Sequence, residues 1–423
     1  MPLRNPTYSA ATHTLLTRNA ARWILAGAAA ILFADLPHNL VFSQDTTSSL
    51  ITTEVNSEFV FPLDAQHNHA PGIVEFPNGD LLVSWYRGSG ERKADDVAVL
   101  GSWKRKGSER WSEPFVMADQ TDFPDCNTCM HVDSEGRLWL FWPTIIANSW
   151  ESCLTRYRMA TTADLKEAGA PRWSSEGLVL LKPDDFGDEA EAIFTKLLQE
   201  RVPQPLPQGL QTEFENAKKL LHEKLYQRLG WQPRCKPTVL PSGRILLPLY
   251  TDTFSISIMA ISDDGGFSWY ASKPIYGLGN IQPAVLRRND GTLVAYMRDN
   301  GPANRVQVSE SKDDGVSWSV SESNEIPNPG SGLDAVRLRN GHWVLLLNDT
   351  LEGRNRLALY LSDDEGQTWK WHRAIEDHPK GSYHYPCLIQ GSDDNLHIVY
   401  SYFVDEGKTM KYVRLGEDWI KRK

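Results

Sequence analysis

Polar residues gather at an unusual place in this 423-residue chain, the first positions of its strand-like apolar runs. They are His67, His69, Cys126, Asn127, Arg234, Lys236, Gln282, Asp334, Tyr383, His384 and Tyr385, and Arg298 and Arg354 belong with them. Arginine presents a planar fork suited to a carboxylate or sulfate, so such a set describes a site for an anionic ligand. If the ligand is a sugar with a carboxylate on its anomeric carbon, a carboxylate nucleophile meets like-charge repulsion. The neutral phenol of Tyr385 avoids it. A phenol needs a base, because its ordinary pKa is about 10. Gln282 cannot serve, which leaves Asp334 and His384 as candidates. The loop GSGERKADDVAVL supplies Glu91, Asp95 and Asp96 as candidates for the general acid, a role that burial or mutual charge would favour by raising a carboxyl pKa.

Residues this far apart meet only if a repeated element brings them together. Six times, an apolar run meets a tight turn and a second apolar run, as in VEFPNGDLLVSW (74–85) and VLRRNDGTLVAYM (285–297). The turns fall at Gly79, Gly136, Gly243, Gly291, Gly341 and Asn395. Gly and Asn accept the positive φ of such turns, and β-branched and aromatic residues flank them, so each is a hairpin. A spacing near 50 residues, with several strands per repeat, predicts an all-β fold: a six-bladed β-propeller of four-stranded blades. Propeller sites form where the first strands converge on the axis. One gap is 107 residues long. Within it, residues 184–230 lose the strand pattern. Phe194, Leu197 and Leu198, then Phe214, Ala217, Leu220, Leu221, Leu225 and Leu229, recur at helical spacing on either side of PQPLPQG. This predicts two helices capping a rim.

Three octapeptides share one pattern: SDDGGFSW (262–269), SKDDGVSW (311–318) and SDDEGQTW (362–369). An Asp can accept backbone N–H bonds in a tight turn, the Gly takes the strained φ, and the Trp fills the wedge between blades. The motif therefore predicts a structural clasp, in blades 4 and 5 and the one that follows. Copies at 101–114 and 160–175 keep the Trp and lose the Asp.

The net charge of −10 argues against nucleic acid as a partner, and any anion site must be built from local arginines. Arg18 and Arg22 precede WILAGAAAILFA (23–34), an apolar run too short to span a bilayer. It predicts an export signal over residues 1–43, no other membrane segment, and a working domain over 44–423 that is secreted or periplasmic. The cysteines, 126, 129, 153, 235 and 387, read as buried thiols or one disulfide, and the lone CxxC is too little for a zinc site. No dinucleotide, P-loop or HExxH motif is present, so neither cofactor nor metal is implied. Nothing in the sequence specifies an oligomeric state.

The octapeptide is the Asp box, and with six blades the chain resembles the sialidase (neuraminidase) superfamily over about residues 58–415, more narrowly the secreted bacterial BNR-repeat proteins. The resemblance implies three arginines around a substrate carboxylate. It puts His69, in HNHAPG, where the first would stand, Arg298 as the second and Arg354 as the third, with Arg356 a near alternative. It implies Tyr385, in SYHYPCLI, as the nucleophile, Gln282 in place of the catalytic Glu, and Glu91 nearest to the acid/base position. His69, Asn127, Arg234, Lys236 and Asp334 complete the expected substrate surface. The implied activity is that of a secreted exo-acting glycoside hydrolase, releasing a terminal acidic sugar (sialic acid, or a related ulosonic or uronic acid) from a glycan. Two other readings stay open. One is a polysaccharide lyase using His69, Tyr385 and Arg298. The other is a glycan-binding propeller without turnover, the natural reading of Gln282 and His69.

Overall fold

In the computed structural model, which describes residues 55–422, every predicted hairpin forms. The predicted export signal, residues 1–43, lies outside the described residues. Five turns carry positive φ at the expected glycine, and the sixth carries it at Asp394 (φ 63°) rather than Asn395. The hairpins assemble into six antiparallel sheets with consecutive strands as neighbours. The blades span residues 67–118, 129–178, 232–271, 280–327, 334–377 and 382–415. Asn56–Phe59 completes the sixth by pairing with Gly407–Leu415, so the two ends of the described chain close the ring through one sheet. Immediately after it, Phe61 stacks on Trp85 of the first blade at 4.8 Å. In blade 3 the inner strand is split into Gln232–Pro233 and Thr238–Val239, both paired with Ile245–Thr251. The break between them holds Arg234 and Lys236.

The octapeptides lie in blades 3, 4 and 5, one blade earlier than expected, between the third and fourth strands. All three are built alike. In the second, Ser311 donates to Asp313 and accepts from the Gly315 N–H, while Asp313 accepts from the Ser317 N–H and hydroxyl. The aromatic residues pack across blades: Trp269 lies edge-on to Phe141 of blade 2 at 5.8 Å, and Trp369 edge-on to Tyr296 of blade 4 at 5.6 Å. The motif is therefore a clasp whose Asp is consumed by its own turn. Gly366 shows how tight it is: a Cβ there would come within 2.2 Å of the Tyr296 Oη and 2.9 Å of the buried Trp343 ring, at φ +80°. Gly243 has a similar φ of +88° and open space around it. We expect Gly243→Ala to cost about 1 kcal/mol, from backbone strain, and Gly366→Ala about 3 kcal/mol, from strain plus overpacking. Equal unfolding midpoints for the two variants would contradict this.

The insertion forms Phe186–Arg201, Gln208–Leu221 and a short third helix, Lys224–Arg228, one more than predicted. Its apolar side is not a solvated cap. Phe186, Phe194, Leu198 and Phe214 are buried in one cluster with Trp231, Leu249, Phe254 and Tyr276, and so extend the core beside blades 2 and 3. All five cysteines are free and buried, which settles the choice left by the sequence.

Candidate functional site

The inner strands of three blades begin with the same device. At Ala70-Pro71, Gln282-Pro283 and Tyr385-Pro386 the pairing with the next strand shifts register. The residue before each proline has positive φ: 52° at Ala70, 59° at Gln282 and 48° at Tyr385. Asn127 has φ 38° just ahead of the blade 2 inner strand. Proline cannot join the ladder, so it sits in the bulge, and the bulge re-aims its neighbour. Left-handed backbone at a non-glycine residue costs about 1–3 kcal/mol each and persists where the surroundings hold it. Here these neighbours include the Gln282 and Tyr385 side chains.

Tyr385 is the centre. Arg298, opposite Ile281 on the next strand, donates from Nη1 to the Tyr385 hydroxyl at 3.3 Å. The guanidinium of Arg354 lies 5.7 Å from the ring centre. Gly332 makes room for that ring, since a Cβ there would approach Tyr385 Cδ1 to 2.7 Å and Gln282 Oε1 to 3.1 Å. The same distances put Gln282 beside the phenol. Its Oε1 is buried and has no hydrogen-bond partner, and neither does the Nε of Arg298. Buried polar atoms are normally satisfied. An unpartnered acceptor and an unpartnered donor flanking one phenol are groups a polar ligand can satisfy.

His69 and His384 form the adjoining wall, with His69 4.7 Å from the Tyr385 ring and 5.0 Å from His384. Phe403 packs on both, at 5.2 and 4.7 Å. Arg354 donates to Nδ1 of His384 at 2.7 Å, so that nitrogen must accept, and the ring's Nε2–H is left for the Ser382 hydroxyl at 2.7 Å. Burial, reinforced by Arg354, holds His384 well below the usual imidazole range. Burial and the neighbouring His384, His67 and arginines do the same to His69. His384 is therefore neutral, with its lone pair already engaged. Glu91 faces this wall: its Oε1 lies 3.2 Å from His67 Nε2, 3.0 Å from the Tyr86 hydroxyl that donates to it, and 3.9 Å from His69 Nε2. Burial alone would raise its pKa, but His67, Tyr86 and Arg92 more than offset that and hold it ionised.

The other expected site residues have partners of their own. Asp95 accepts from the Asn148 amide and Asp96 from the Ser89 N–H and hydroxyl, both at exposed loop positions. These ties hold both carboxylates of the ADD triplet within their own loop. Lys236 bonds both oxygens of Asp334 at 2.7 Å and the Ala335 carbonyl, and Asp334 also accepts from the Leu388 N–H. Arg234 donates to the carbonyls of Pro71 and Tyr385, with its guanidinium 5.1 Å from the Tyr385 ring centre. It thereby ties two of the strained strand starts together from within. Asn127 donates to Gln232 and the Tyr250 hydroxyl. Arg356 is held by Asp349 and Asp377, which leaves Arg354 as the arginine at the phenol. Among the site residues unseen in the sequence are Tyr86 and Ser401. Each pairs across the sheet with a wall histidine, Tyr86 with His69 and Ser401 with His384, and only the strand register reveals them.

Comparison with known proteins fits this geometry. The model of a BNR repeat-like domain matches residues 217–398. A sialidase of Vibrio cholerae is 27% identical over 217 residues, covering 43% of this chain and 27% of the relative, so the match spans about a quarter of that protein. Among solved structures, the leech intramolecular trans-sialidase superposes over 86% of this chain and 71% of its own, with a TM-score of 0.63 and 13% identity. The NanB sialidase of Streptococcus pneumoniae covers the same shares with a TM-score of 0.61 and 13% identity. At such identities the two structures establish the shared fold.

Proposed function

We propose, for a chain that is a BNR-repeat protein of the sialidase superfamily, that it is an exported glycoside hydrolase releasing a terminal acidic sugar, sialic acid or a related ulosonic acid. The observation that carries this is the Tyr385 phenol set between Arg298 and Arg354, with Gln282 Oε1 free beside it. In this reading Arg298 and Arg354 hold the substrate carboxylate and Tyr385 attacks the anomeric carbon, because a phenol meets that carboxylate without charge repulsion. Glu91 is the one acid of its loop that faces the site and so takes the proton role. Its neighbours hold it ionised rather than raised as expected, so it must gain a proton before it can act as the acid. Incubating the protein with α-sialosides, other ulosonic acid conjugates and uronic acid conjugates tests the reading. Free sugar is expected from the first two groups, and failure to release or bind any of them would overturn it.

One observation favours a second reading, in which the site binds a glycan without turning it over. The group beside the phenol is an amide, and the lone pair of His384 is taken by Arg354. Gln282→Glu separates the two readings. A carboxylate at that position supplies the absent base, and we expect kcat on an aryl α-sialoside to rise by about 10²-fold. A variant that binds as before and is no faster would favour the binding reading.

A further inference from the structure

His67 and His69, two apart on one strand, and Glu91, on the loop after the next strand, bring one ligand atom each to a common point, all within 4.8 Å of one another. We propose that this is a binding site for a divalent metal ion of the zinc class, held by Nε2 of His67, Nε2 of His69 and Oε1 of Glu91. Ligands bound tetrahedrally at about 2.0–2.1 Å stand about 3.3 Å apart. His67 and Glu91 are already at 3.2 Å, His69 and Glu91 at 3.9 Å, and all three donors lie within 4.8 Å, so the rings must close in by up to about 1.5 Å to hold the ion. Two imidazoles and a carboxylate suit zinc and its neighbours rather than magnesium or calcium, which take oxygen ligands.

The surroundings have the form that metal ligands need. The far nitrogen of a ligating histidine is normally fixed by a hydrogen bond, which sets the tautomer and the ring angle. His69 Nδ1 lies 3.1 Å from Ser401 Oγ, and that same oxygen accepts from the Ala70 N–H, so the serine is held in place to receive it. The Tyr86 hydroxyl donates to the ligating oxygen of Glu91. The rings of Tyr86 and Phe403 close the apolar side around His67 at 5.8 Å each. His69 is buried, while His67 and Glu91 are partly exposed, so the remaining coordination positions face solvent and the Tyr385 wall. An ion here adds positive charge to the histidine wall, whose His384 Arg354 already contacts. With an ion bound, Glu91 would serve as a ligand instead of a proton carrier, and the ion would supply Lewis acidity at the Tyr385 wall. The inference stands on the donor geometry alone, whatever sugar the site takes.

The test uses untagged full-length protein, stripped with a chelator and titrated with Zn²⁺ by calorimetry and with Co²⁺ by visible absorbance. One equivalent of each is expected, with Co²⁺ giving the intense bands of a low-coordinate site. His67→Ala and Glu91→Gln should each weaken binding by about 100-fold, and Ser401→Ala by about 10-fold, with the circular dichroism spectrum unchanged. Absence of binding by the stripped wild type would overturn the proposal. So would one equivalent bound equally well by a His67→Ala/Glu91→Gln double variant. Either result leaves the sugar-release assay untouched, so failure here is distinguishable from failure of the proposed function.

Discussion

Tyr385→Phe is expected to lower kcat/KM for acidic-sugar release by about 10³-fold or more, with ligand binding weakened much less. The substitution removes one oxygen, the one that Arg298 reaches at 3.3 Å. It leaves the ring that fits against Gly332 and over Arg234, so the bulge at Tyr385-Pro386 keeps its packing. The split between turnover and binding is what gives the variant its force. A residue that only fills space would lose neither. A residue that only binds would raise KM and spare kcat. Activity retained within tenfold would remove Tyr385 as nucleophile, and the mechanism with it.

Asp334→Ala should cost about 3 kcal/mol of stability, read from the urea unfolding midpoint. Asp334 is almost fully buried, and Lys236, in the break of the blade 3 inner strand, bonds both of its oxygens. Burial alone would lower the pKa of Lys236, and Asp334 more than offsets this, so the lysine is charged because its partner is there. Removing one member of a buried pair leaves the other charge uncompensated, which typically costs about 3–5 kcal/mol. The lower figure applies because Lys236 keeps some contact with solvent. Asp334 also holds the Leu388 N–H, so blades 3, 5 and 6 are loosened together. Replacing both members, as Asp334→Leu with Lys236→Met, should recover most of the loss. If Asp334 were instead a substrate ligand, the single variant would unfold nearly as the wild type does and show its defect only in KM.

Much of the ring was legible in the sequence, because hairpin turns and the Asp box are local. Gly79 or Gly243 marks a turn without reference to the rest of the chain. Which residues reach the axis was legible for the same reason, since each begins an inner strand. Which of them are tied to one another was not. Lys236 and Asp334 are 98 positions apart, and Arg234 and Tyr385 are 151 apart. Nothing in either neighbourhood says that these residues meet and are spent on framework. Asp95 and Glu91 lie four positions apart in one charged loop, and only the folded loop turns Glu91 inward and Asp95 toward Asn148. The third helix of the insertion was read as the end of the second, because Leu225 and Leu229 keep its spacing while nothing apolar marks the break at 222–223.

The central claim, that Tyr385 attacks the anomeric carbon of an acidic sugar, is tested most directly by covalent capture. The protein is incubated with an activated 2,3-difluoro derivative of the sugar that it releases, quenched and digested, and the peptide containing Ser382–Gln390 is weighed. The account predicts a mass gain of one sugar on Tyr385, absent from Tyr385→Phe. Turnover of the parent sugar with no adduct, or with an adduct on any other residue, would contradict it.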